Sequence, residues 1–200
     1  MRYERIIKYE DISSRLQTGD VLNCSHKDLF WRLIGHTATV YRDPLTNMLF
    51  CLESTSISKV SGISGVQLNA LGLWLDKYPG KVYVRQLVKL GGYQEMAHPG
   101  EFIEKYRNSS YPNYRTRSGR WKLILAALDI NLFGKDIAAY KGDDQGIFCT
   151  QLIVMFLRWL GIMDPGGILA QEFEPDDFRG SKIDKYLTDK CFYQAEIRIK

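Results

Sequence analysis

The alternation of apolar and polar positions predicts a mixed order of strands and helices along the chain. Residues 11–16 read as a short helix stopped at Thr18-Gly19, and residues 20–24 as a strand around Val21 and Leu22. Residues 26–34 suit a short helix ended by Gly35. Residues 36–42 then alternate, with Thr37, Thr39 and Tyr41 on one side and His36, Ala38 and Val40 on the other, the signature of a strand. Asp43-Pro44-Leu45-Thr46 has the side chains of a type I turn, so residues 48–53 should return as the paired strand.

Further along, residues 66–68 predict a strand, 71–77 a helix, 81–87 a strand and 101–106 a helix. Residues 121–129 read as a helix, 148–160 as a strongly apolar one, 176–186 as another helix, and 191–199 alternate as a closing strand. Strands and helices follow one another without regular βαβ repetition, which points to the α+β class. At 200 residues the chain suits a single domain spanning 1–200, with an insertion or lid around residues 88–120.

Composition narrows the function classes without choosing among them. Hydrophobic residues make up 45% and charged residues 25%, as in ordinary globular proteins. The net charge of +4 is mild, and no reading motif accompanies it, so nucleic acid is not an expected partner. The first residues lack the apolar core of a signal peptide, and no run reaches the roughly 18 apolar residues of a membrane span, so a cytoplasmic location is expected. Four cysteines are scattered with no CxxC pair and no zinc spacing, which favours reduced thiols and no metal. Cys24, Cys51 and Cys191 lie in apolar strand-like runs and read as small buried hydrophobes.

Cys149 differs by position. It opens the apolar helix, where unpaired backbone N–H groups and the positive end of the helix dipole favour a thiolate. Leu152, Ile153, Phe156, Trp159 and Leu160 give that helix a face for a core, which would hold a nucleophile rigidly. If Asp43 faces Thr46 across the turn, His36 falls directly opposite Glu53, close enough for the carboxylate to orient the imidazole; a one-residue bulge would break that register. Taken singly, each residue also fits a structural role: a buried first-turn cysteine, a polar strand-end histidine, a solvated glutamate.

Taken together, the segments Gly19-Asp20-Val21-Leu22, Ile34-Gly35-His36-Thr37-Ala38-Thr39-Val40, Leu52-Glu53-Ser54 and Phe148-Cys149-Thr150-Gln151-Leu152-Ile153 have a recognisable form. They resemble the circularly permuted NlpC-type branch of the papain-like cysteine hydrolases, which includes YiiX-like and lecithin:retinol acyltransferase-like members. Glu174-Pro175-Asp176-Asp177-Phe178 is similar to a Pro-Asp segment of the YiiX-like group. Gly35 stands where serine is usual in that pattern, and the stretch 85–144 is long.

The resemblance implies a permuted papain-like fold, with an antiparallel sheet or half-barrel packed against the helix that carries the cysteine. It implies a catalytic Cys149, His36 and Glu53, no cofactor, and a peptide, peptidoglycan stem peptide, acyl-amide or lipid as substrate. A lipid acyltransferase or phospholipase at a membrane surface is the alternative enzyme reading, drawn from apolar residues 123–132 and the basic and aromatic residues of 105–122. A binding module that keeps the fold without catalysis is the reading from another class.

Overall fold

A computed structural model describes residues 6–25, 35–111, 146–164, 166, 169–180 and 182–200. The helices expected at 26–34 and 121–129, and the insertion beyond residue 111, lie outside the described residues. The chain is a mixed α/β structure built on an antiparallel sheet.

Helix α1 (Tyr9–Ile12) and a 3-10 turn (Ser13–Arg15) lead to β1 (Val21–Ser25), β2 (His36–Arg42), β3 (Leu49–Thr55) and β4 (Gly65–Ala70). Helix α2 (Leu71–Lys77), β5 (Lys81–Arg85), β6 (Leu87–Lys89) and α3 (Pro99–Tyr106) follow. The cysteine helix α4 (Cys149–Trp159) comes next, then three 3-10 turns, β7 (Cys191–Tyr193) and β8 (Ile197–Arg198). Six strands form one sheet in the order β4-β3-β2-β1-β5-β8, and β6 pairs with β7 in a separate ribbon.

Strand alternation sends successive side chains to opposite faces, and both faces are covered. Val21, Tyr41 and Leu52 pack with α3 and α4, while Leu22, Ala38, Val40 and Cys51 pack with Leu71, Trp74 and Leu75 of α2 and with Ile12 and Leu16. Helix α4 is buried beyond one stripe: Val154 and Leu157 are as fully enclosed as Leu152, Ile153 and Phe156. No helix among the described residues is long and apolar enough to cross a membrane.

Three expectations are corrected. The strand expected over 81–87 is two strands in different sheets, because Asp20 captures the backbone N–H of Leu87 at 2.8 Å and turns the chain out after Arg85. The closing strand expected over 191–199 divides in the same way: β7 follows β6, and β8 returns to β5. In place of a helix over 176–186 there are two 3-10 turns, Pro175–Phe178 and Ile183–Tyr186, separated around Gly180, whose φ of 60° lies in the left-handed region.

The β2–β3 register is also corrected. Asp43 N–H donates to the Met48 carbonyl at 2.9 Å and Asn47 N–H to the Asp43 carbonyl at 2.8 Å, with Asn47 at φ 59°. The hairpin therefore closes on Asp43 and Met48, not on Asp43 and Thr46. Asp43 Oδ1 holds the loop open at this length by accepting the N–H groups of Leu45 and Thr46. The ladder pairs Thr39 with Leu52 and Val40 with Cys51, and continuing it would set Glu53 opposite Ala38. A slip of two residues keeps every side chain on its face, so His36 and Glu53 remain diagonal neighbours.

The Gly19-Asp20 pair is a structural clasp. The two carboxylate oxygens of Asp20 accept from Gln17 N–H and Leu87 N–H, and its carbonyl accepts from Val40 N–H and the Thr39 hydroxyl. Tyr193 donates its hydroxyl to the Gly19 carbonyl at 2.8 Å, joining the ribbon to the entrance of β1.

Candidate active site

The β2–β3 ladder ends at Thr39 and Leu52 although β2 begins at His36 and β3 runs to Thr55. Beyond that point β3 stays paired with β4 as far as Thr55 and Gly65, so the two central strands part company. The start of α4 is fastened in the opening. Ser54 of β3 donates its hydroxyl to the Ile147 carbonyl, and Thr37 of β2 donates its backbone N–H to the Cys149 sulfur.

Capping at this helix start is one-sided. Phe148 occupies the N-cap and has no acceptor to offer the first turn, whereas Gln151 reaches back to the Phe148 N–H at 3.3 Å. The N–H of Thr150, a first-turn donor with no partner inside the helix, donates to the Cys149 sulfur.

His36 approaches from the other face of the sheet. Its ring lies near-parallel to that of Tyr78, 6.4 Å between centroids and 14° apart, and Tyr78 in turn stacks on Trp74. His36 Nε2 meets Glu53 Oε2 at 3.0 Å, and the imidazole is hydrogen-bonded to the Cys149 side chain. With Nε2 committed to the carboxylate, Nδ1 is the nitrogen left for sulfur. Glu53 is 3% exposed, and its second oxygen accepts from Asn69 Nδ2 at 3.2 Å. The three residues singled out in the sequence therefore stand in a chain: sulfur, imidazole, carboxylate.

Electrostatics separates Cys149 from the other thiols. Burial pushes Cys24, Cys51 and Cys191 up, as expected for enclosed sulfur. Burial acts on Cys149 too, but it is outweighed by the hydrogen bond and charge of His36 and by the N–H groups of Thr37 and Thr150, so its thiol is held below the ordinary range. For His36, burial opposes the cation, yet hydrogen bonds to Cys149 and Glu53 and their charges push it up to about 10. Both directions favour the thiolate–imidazolium form of the pair over the neutral one.

The pair is nearly but not fully enclosed: Cys149 keeps 8% of its surface and the His36 side chain 18%. One cavity lies between α3 and the β2–β3 hairpin and another among the 3-10 turns, and the sulfur lines neither of these. The described segments on either side of residues 112–145 meet beside Cys149. Ile147 N–H donates to the Ser110 carbonyl at 2.9 Å, and the Tyr111 ring meets Phe148 edge-on. Ser109 also pairs with Val66 at the edge of β4, an approach so close that a Cβ on Gly65 would collide with the Ser109 carbonyl. No group of histidine, cysteine and acidic side chains among the described residues could hold a metal ion.

Three contributors escaped the sequence pattern. Thr37 acts through its main chain, and its availability depends on where the ladder stops. Tyr78 ends a helix and gives no local signal of a ring beneath His36. Asn69 had one usable signal, a polar residue at a strand position on the same face as Cys51 and Glu53. No family model matches the chain, and no match is found among curated proteins.

Proposed function

We propose that the protein is a cysteine hydrolase of amide or ester bonds, with Cys149 as nucleophile, His36 as general acid and base, and Glu53 as the group that orients and charges the imidazole. The permuted papain-like arrangement suggested by the motifs is part of this reading: an antiparallel sheet packed against a helix that begins with the cysteine. One observation carries it. Of four buried thiols, the one at a helix start is the one drawn toward the thiolate, and its partner is a histidine held by a carboxylate.

In this mechanism the Cys149 thiolate attacks the substrate carbonyl carbon, forming a C–S bond and a tetrahedral oxyanion. In this reading the backbone N–H of Cys149, at the positive end of α4, stabilises that oxygen. As the C–N or C–O bond breaks, the His36 imidazolium gives its Nδ1 proton to the departing amine or alcohol, leaving a thioester. His36, now neutral, takes a proton from water as the hydroxyl adds to the thioester, and collapse releases the acid and the thiolate. Glu53 keeps Nε2–H engaged throughout, so Nδ1 remains the working nitrogen.

The test is a panel of peptide, acyl-amide and phospholipid substrates offered to the wild type and to Cys149→Ala, with mass spectrometry of the quenched protein. An acyl adduct on Cys149 and turnover that is lost in Cys149→Ala would support the reading. Turnover that survives Cys149→Ala would overturn it.

A further inference from the structure

We propose that Asn69 is a positioning residue for the same site, fixing the Glu53 carboxylate so that one oxygen faces His36. This rests on the proposed role of the Cys149–His36–Glu53 chain and extends it by one residue.

Asn69 sits on the edge strand β4, opposite Cys51 and on the face that carries Glu53. It is 7% exposed, a costly place for an amide unless its groups are paired. Its Nδ2 lies 3.2 Å from Glu53 Oε1 and 3.4 Å from Ser58 Oγ. An NH2 group has two hydrogens, and Nδ2 has these two oxygens in reach, which fixes the amide orientation on chemical grounds. Ser58 is itself held, receiving Val60 N–H and Ser61 N–H on its hydroxyl and donating its own N–H to Ile63. The order of support is therefore a clamped loop at Ser58, then Asn69, Glu53, His36 and sulfur.

A carboxylate has two oxygens and can rotate about its last bond. With Oε1 occupied by Asn69, Oε2 stays 3.0 Å from His36 Nε2. Without that donor the buried second oxygen has lost its hydrogen bond, and the carboxylate is free to turn away from the imidazole. The effect reaches sulfur as a weaker hold on the imidazolium.

The experiment is the pH profile of iodoacetamide alkylation at Cys149, followed by mass spectrometry, in wild type, Asn69→Leu, Asn69→Ser, Glu53→Gln and the Glu53→Gln/Asn69→Leu double variant. Leucine keeps the volume and serine the polarity, and both withdraw the donor from Glu53, so whichever variant folds carries the test. The midpoint for alkylation should rise by about one pH unit in the single Asn69 variant. In the Glu53→Gln background the same substitution should add nothing further, since its effect passes through that carboxylate. An unchanged midpoint in a folded Asn69 variant, or an equal shift in both backgrounds, would overturn the assignment. A wild-type midpoint no lower than that of free cysteine would instead overturn the thiolate reading on which it stands.

Discussion

Thr37 donates its backbone N–H to the sulfur of Cys149, and it can do so because the β2–β3 ladder stops at Thr39 and Leu52. In a ladder continued to the end of both strands, that N–H would face β3. The parted strands free a main-chain donor and let a helix on one face of the sheet present its thiol to a histidine belonging to the other. The site is thus made by an interruption in regular pairing, at the place where the β3–β4 ladder carries on without β2.

Alkylation should reveal the ion pair directly. Cys149 should react with iodoacetamide at pH 6.5 nearly as fast as at pH 8, whereas a free thiol slows about tenfold per unit below its pKa. His36→Ala removes the largest influence that lowers the thiol and leaves burial in charge, so the rate at pH 7 should fall about 10- to 100-fold. Equal rates in the two proteins would show that sulfur and imidazole are not coupled.

Glu53→Gln should lower turnover because it removes the charge that holds the imidazolium. A glutamine can still offer its oxygen to His36, and the Asn69 amide can rotate to present its own oxygen to the new NH2, so the loss is that of the charge and not of the packing. The expected loss in kcat is about 10- to 100-fold with little change in KM, measured on any substrate that the panel identifies.

Asp20 should make stability depend on pH in the direction opposite to an ordinary carboxylate. Burial raises it, the N–H groups of Leu87 and Gln17 and nearby cations pull it back, and the result is about 7. The folded state then keeps a proton between about pH 4 and 7 that the unfolded chain releases, so stability from this group falls as pH rises through that window. Urea denaturation at pH 4.5 and 7.5 should show the advantage of wild type over Asp20→Asn shrinking at the higher pH; a constant difference would exclude a raised Asp20.

Gly35→Ala should cost both stability and reactivity. Gly35 has φ 69°, and an added Cβ would lie 2.9 Å from the Cβ of Pro175. The left-handed backbone costs about 1–2 kcal/mol for alanine, and the collision adds to it. Because His36 is the next residue, the displacement should slow Cys149 alkylation as well as lower the melting temperature. A melting temperature equal to that of wild type would contradict the packing described.

Phe156→Ala should destabilise by about 3–5 kcal/mol. The ring is fully buried and lies 5.1 Å from that of Phe102, centroid to centroid, joining α4 to α3. Chemical denaturation measures the loss, and a value under about 1 kcal/mol would mean that α4 is not anchored through this contact.

What could be read in the chain beforehand was local. Alternation over residues 36–42 placed His36 on the correct face, and the apolar run after Cys149 placed that residue at a helix start. The approach of His36 to Glu53 followed from a turn and a return strand, and it survived an error of two residues in register because such a slip preserves the face. The error came from Asp43, whose side chain holds a longer loop than the turn residues alone suggest. The features that escaped depend on groups far apart in the sequence. The division of residues 81–89 into two strands follows from Asp20, some 67 positions earlier, and the opening between β2 and β3 from where Ile147 and Cys149 dock.

The last strands also determine how the fold is finished. β7 completes the ribbon with β6, and β8 covers the rim of β5. Clipping the chain before Cys191 would strip both, exposing a raw rim on the large sheet and a lone β6, the kind of surface on which other chains condense. Proteolytic trimming at this end should therefore send the protein out of solution.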